Sequence, residues 1–339
     1  MSIRNVWRKG LTAAALPAVA ALGAAGLAIA APAHAASTAP AQARLHVAGT
    51  VDLGRLGNSF SYVFSEDPHG NVYYARGPVV YVVKGDHSPV TALRASGPVL
   101  AVAATSSDLF VDVGHTVSAY ARSDGRRLRT WTLPGSETFT SAGLYPVGTT
   151  VWAYTDWATD ESGFEYANVD RFSLSSPAVH SVSANNAYPA DMAADSAGLY
   201  YEGIAGAGIS DYVFRAPPSG SPRRHADTDI DAPLALAAGN VYLLAIHENQ
   251  NGHTYLDAFR SSTLGSVFSL RVSDSDTDVA GTGLGLLLLG GNKVSLLNPG
   301  NGHAVVTLSV PGEATLVPGP SAVVVTVSHS VTYLLRLAS

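Results

Sequence analysis

Seven times along this chain a short β-branched or aromatic run returns: NVYYA (71–75), DLFVD (108–112), TVWAY (150–154), GLYYE (198–202), NVYLL (240–244), GLLLL (285–289) and AVVVT (322–326). Taking Val72, Leu109, Val151, Leu199, Val241, Leu286 and Val323 as equivalent, the spacings are 37, 42, 48, 42, 45 and 37 residues. A unit of that size cannot bury its apolar face alone and must stack on neighbours of the same kind. Each run is followed by a turn and a second alternating run, such as TVSAYARSDG or YLDAFRSSTLG, and then by a third, such as LRTWTLPG or VFSLRVSD. Alternation of period two, with Gly, Pro, Asn and Asp at the joins, reads as strands rather than helices. A weaker run of small apolar residues, PVLAVAAT or PLALAAG, supplies a first strand to the unit. Four strands at this spacing make one blade, so the expected fold is all-β: a seven-bladed β-propeller of four-stranded antiparallel blades.

The last unit stops at Ser339 after its third strand, which leaves an unpaired edge. LHVAGTVDLG (45–54) resembles the outer-strand run VVTLSVPG, so an N-terminal strand is expected to close the ring. The blades then fall at about residues 59–97, 98–139, 140–187, 188–231, 232–279, 280–320, and 321–339 plus 44–55.

Ahead of the repeats, Arg4, Arg8 and Lys9 precede an Ala, Leu and Gly-rich apolar stretch and the small-residue site Ala33-His34-Ala35. That order reads as a secretory signal peptide over 1–35, with a disordered lead-in at 36–43; a retained membrane anchor is the rival reading. Cleavage would remove three positive charges and no negative ones, moving the formal charge from −6 to −9. Only Lys84 and Lys293 remain as lysines, so neither nucleic acid nor a membrane surface is expected as a partner. With no cysteine, stability outside the cell must come from a large core or bound ions.

VSAYARSDGRRLRTWTLPG (117–135) resembles the strand-turn-strand of PQQ-like repeats, and VSLLNPGNGHAVVTLSVPG (294–312) is a fainter copy. DPHGNVYY (67–74) and DSAGLYY (195–201) look like the turn of NHL and YVTN-type secreted propellers. The resemblance implies the propeller superfamily and no particular activity. Quinoprotein members often use a vicinal disulfide beside their cofactor; this chain has no cysteine, so PQQ is not expected.

In such a fold the loops joining second to third strands, and outer strands to the next blade, emerge on one face, the top. DTDID (227–231) and SDSDTDV (273–279) both follow outer strands, and 155–166 and 247–254 are second-to-third-strand loops. An acidic top sector is therefore expected. Its candidate ligand-binding residues are Asp156, Trp157, Asp160, Glu161, His247 and Glu248, with an exposed tryptophan flanked by acids as a platform for a peptide, a glycan or another extracellular protein. Asp227, Asp229, Asp231, Asp274, Asp276 and Asp278 are the candidate metal ligands, with calcium the ion to consider. An EF-hand loop is excluded, because positions six and twelve counted from Asp274 hold Val279 and Gly285 in place of Gly and Glu. Solvated acidic turns inherited with their blades are the plainer alternative. The expectation is a secreted, monomeric binding or scaffolding protein; the alternative is a metal-assisted propeller lyase or lactone hydrolase with carboxylates or histidines at the top of the central funnel. Nucleophile elbows, phosphate loops and zinc helices are absent from the sequence.

Overall fold

A computed structural model describes residues 44–56, 64–114, 116–133, 143–159, 165–187, 192–204, 211–218, 223–228, 233–247 and 252–339. The described chain opens on β1 (His46–Gly54). Blade 1 is β2 (Phe64–Glu66), β3 (Val72–Arg76), β4 (Val79–Val83) and β5 (Val90–Arg94), and blade 2 is β6 (Ala101–Ala104), β7 (Asp108–Val113), β8 (Thr116–Ala121) and β9 (Arg127–Thr132). Blade 3 is β10 (Leu144–Val147), β11 (Thr150–Thr159), β12 (Glu165–Ser173) and β13 (Ser176–Ala187), and blade 4 is β14 (Ala193–Asp195), β15 (Gly198–Ile204), β16 (Asp211–Ala216) and β17 (Arg223–Thr228). Blade 5 is β18 (Leu234–Ala237), β19 (Asn240–His247), β20 (His253–Arg260) and β21 (Ser266–Arg271), and blade 6 is β22 (Asp276–Thr282), β23 (Gly285–Gly290), β24 (Lys293–Leu297) and β25 (Ala304–Ser309). Blade 7 takes β26 (Glu313–Val317), β27 (Ala322–Ser328) and β28 (Val331–Ala338) from the C-terminal end. Its fourth strand is β1, which lies antiparallel to β28 from His46 opposite Ala338 to Gly54 opposite Thr332. The ring is thus closed by the N-terminal strand.

Seven apolar clusters among the described residues correspond to the seven seams between blades. Alternation along each second strand feeds both neighbours. Leu109 and Val111 enter the core shared with blade 1, while Phe110 enters the core shared with blade 3, where it stacks on Trp131. Trp131 and Trp152, both fully buried, anchor the cores on either side of blade 3. Each such Leu, Phe or Val contributes about 1.5–3 kcal/mol by burial, so the ring is held by its seams more than by any single blade.

Blade 7 corrects the repeat alignment by one residue. In blades 1 to 6 the aligned residue packs toward the preceding blade, but Val323 packs with Val72 and Tyr74 of the following one. Ala322 and Val324 face blade 6 with Leu287 and Leu289, so Ala322 is the true equivalent of Leu286.

The underside of the ring has its own repeated device. Side chains reach across six seams to the turn between third and fourth strands of the next blade. Trp131 Nε1 donates to Ser176 O at 3.0 Å, Arg171 to Pro217 O at 2.9 Å, Arg215 to Ser262 O at 2.7 Å, and the Tyr242 hydroxyl to Pro299 O at 2.6 Å. Arg336 closes the ring by donating to Gly85 O at 2.9 Å. Between blades 1 and 2 the polarity is reversed: buried Asp67 receives the Arg122 guanidinium, which also donates to Tyr73 Oη at 2.8 Å. The seam between blades 6 and 7 cannot use this device, because blade 7 draws its outer strand from the other end of the chain and has no such turn. That seam is bridged instead toward the top end of β22, where Asp278 accepts from Leu316 N at 2.7 Å and Thr315 Oγ1 at 3.0 Å.

Candidate functional site

On the top face the best-defined polar group sits at blade 5. His247, the last residue of β19, places Nε2 2.7 Å from Asp257 Oδ2 and stacks its ring on Tyr255 at 4.4 Å and 11°. Asp257 is buried, and its Oδ1 has no hydrogen-bond partner among the described residues. A carboxylate at one ring nitrogen steadies the tautomer and orientation of an imidazole, the arrangement that suits it to proton transfer or to a ligand. Beside it, exposed Asp274 accepts from Thr254 N at 2.9 Å and lies 3.1 Å from His253 Nδ1. The same nitrogen is 3.0 Å from Arg271 Nη2. The tautomer decides the role of that nitrogen: without its hydrogen it accepts from Arg271, and with its hydrogen it donates to Asp274. The Thr254 N–H first, and His253 next, hold the Asp274 carboxyl below the usual carboxylate range.

The three carboxylates of SDSDTDV do not converge. Asp274 turns to blade 5; Asp276 accepts from Ser273 N at 2.9 Å, its pKa raised by burial; and Asp278 bridges to blade 7. The stretch is a loop only in part, since β22 starts at Asp276. Asp227 lies within outer strand β17, opposite Tyr212. Asp156 and Trp157 belong to β11 rather than to a loop, at a break in register where Thr155 faces Asn168 and Ala158 faces Tyr166. Asp160, Glu161, Asp229, Asp231 and Glu248 lie outside the described residues. Among the described residues no three His, Asp or Glu side chains gather as a metal site.

Four buried acids that sequence reasoning passed over occupy matched positions. Asp112 on β7 and Asp170 on β12 are fully buried, and alternation with Phe110 and Phe172 turns both toward the core between blades 2 and 3. Glu202 on β15 and Asp257 on β20 alternate with Tyr200 and Phe259 and face the core between blades 4 and 5 in the same way. Cα registers equate Asp170, opposite Ala153, with Asp257, opposite Leu243. The signal was present as a lone acid inside an apolar strand, NVDRF (168–172) and YLDAF (255–259), repeated two blades apart.

The central channel is lined by the innermost strands of all seven blades and encloses about 420 Å³. Its lining is mostly Ala, Leu, Val, Pro and Gly, with Glu66 and Asp278 as its acids. Glu66 is turned into the closing seam: its side chain is fully buried, Oε2 accepts from Ser321 N at 2.9 Å, and Oε1 lies 3.9 Å from Arg336 Nη1. Burial raises its pKa, partly offset by Ser321.

No family model matches the chain, and no curated protein does. Many solved structures do. A chain of a mitotic checkpoint complex is similar over 92% of this chain and 100% of that one, with a TM-score of 0.63 and 13% identity. The WD40 domain of Neurospora crassa Pan2 matches 87% of this chain and 96% of its own, with a TM-score of 0.61 and 10% identity. BamB from Moraxella catarrhalis matches 87% and 94%, with a TM-score of 0.50 and 11% identity. At such identities the likeness is one of fold: a seven-bladed β-propeller with WD40 and BamB-like neighbours.

Proposed function

We propose that the chain is a secreted binding or scaffolding module that recognises an extracellular protein, peptide or glycan through the top face at blades 5 and 6. The observation that carries this reading is an asymmetry between the two faces. On the underside, Arg122, Arg171, Arg215 and Arg336 are tied to backbone or carboxylate partners across seams. On top, Arg271, His253 and Asp274 bond to one another at the surface, with Asp274 about half exposed, so they can exchange those bonds for a ligand's at little desolvation cost. Secretion rests on the charge and apolar pattern of residues 1–35, and membership of the PQQ-like, YVTN and NHL superfamily on the turns at 67–74, 117–135 and 195–201. A propeller enzyme remains the second reading, favoured by the His247–Asp257 pair.

The test is capture from culture medium or on a glycan array with the mature protein. Asp274→Lys together with His253→Ala should reduce capture at least about tenfold, the loss of roughly 1.4 kcal/mol expected from one charge-assisted contact, while the underside variant Asp124→Lys leaves it intact. Equal capture by both variants would remove the top face from consideration.

A further inference from the structure

The channel differs from the top face in charge and in character. Among the described residues its lining has no Lys, Arg or His, and its acids are Glu66 and Asp278. Glu66 is sequestered against Ser321 and Arg336, which leaves Asp278, only partly buried, as the anionic group that borders the open space. Asp278 is held in place by Leu316 N and Thr315 Oγ1, so its position is set before any ligand arrives. Elsewhere around the channel, on blades 1, 3 and 5, the partly exposed lining includes the apolar and aromatic Phe64, Tyr145, Pro146 and Leu236. A cavity of about 420 Å³ falls within the range of small-molecule sites, which pair an apolar wall with a few fixed polar groups. An enclosure with one sign of charge and low-dielectric walls concentrates the opposite sign, and aromatic faces add to the attraction for a cation.

We propose that the central channel binds a small amphipathic organic cation, its ammonium group set against Asp278 and its apolar body against Phe64, Tyr145 and Leu236. The site is independent of the top-face cluster, and either can fail alone. An inorganic cation would gain nothing from the apolar wall, and a neutral apolar molecule nothing from the carboxylate.

The probe is 2-phenylethylamine, compared with neutral 2-phenylethanol and anionic 3-phenylpropionate at equal ionic strength, by thermal melting and calorimetry of the mature protein. The amine at about ten times its Kd should raise Tm by about 3 °C, with little or no rise from the other two. Asp278→Asn, which keeps an oxygen for Leu316 N and Thr315, should weaken the amine at least about tenfold, and Asp274→Asn should leave it unchanged. Equal shifts from all three probes, a shift reproduced by sodium or calcium at the same ionic strength, or no shift from the amine would each overturn the proposal. The comparison of probes on the unaltered protein stands even if Asp278→Asn does not fold.

Discussion

At Asp112 the chain holds a fully buried carboxyl group that no neighbour among the described residues hydrogen-bonds. Burial alone moves its pKa from the ordinary 3.8 up to about 8. The folded state therefore keeps this proton while the unfolded chain releases it. Stability from the group is fully present below about pH 4, is lost as pH rises toward about pH 8, and is level above that. Asp112→Asn removes the titration and keeps the shape, so the variant should gain in Tm relative to the parent as pH rises from about 5 to about 8. Parallel Tm curves for the two proteins across that range would show that Asp112 is not the buried acid described. Sequence reasoning favoured the conspicuous acids of SDSDTDV over the lone acids of DLFVD and NVDRF. Adjacent carboxylates announce themselves, but neighbours two apart on a strand share a face only if the strand continues through them. Here Asp274 precedes β22, Asp276 starts it and Asp278 lies behind a register shift, which is why three similar residues find three different partners.

Among elements, second strands were legible because β-branched and aromatic residues alternate between two cores. The innermost strands, three to seven residues long and rich in Ala only in blades 2, 4 and 5, gave weak signals of their own. The one-residue slip in blade 7 has a related cause: the run Ala322–Val325 is apolar without a break, so it carries no alternation from which a phase could be read. β1 was legible by its likeness to other outer strands and by the edge it had to cover. It also brings Leu45 into the core with blade 6 and Val51 and Leu53 into the core with blade 1, each contributing about 1.5–3 kcal/mol. Removing residues 44–54 should therefore both uncover the edge of β28 and unload two seams. The expected result is aggregation, or a fall in Tm of more than about 10 °C, read by sedimentation and melting. A truncated chain that stays monomeric and melts unchanged would mean that β1 does not close the ring in solution.

For the whole molecule, closure by β1 makes the two ends of the described chain neighbours, with His46 opposite Ala338 in one ladder. The gap between β28 and β1 is then the seventh third-to-fourth-strand turn, differing from the other six only in being unconnected. If the ring is a set of equivalent seams, the position of that gap is arbitrary, because each blade contacts only its neighbours and closing one short loop costs little entropy. A circular permutant that joins Ser339 to Arg44 through a short linker and opens between His87 and Ser88 transfers the gap to blade 1 and keeps Gly85 O for Arg336. It should fold as a monomer with Tm within about 5 °C of the parent. Opening instead inside β3, at Tyr73 and Tyr74, cuts a strand that feeds the cores on both sides of blade 1 and should abolish folding. If both permutants fail alike, the seams are not interchangeable, and the pairing of β1 with β28 carries more of the ring's stability than geometry alone assigns to it.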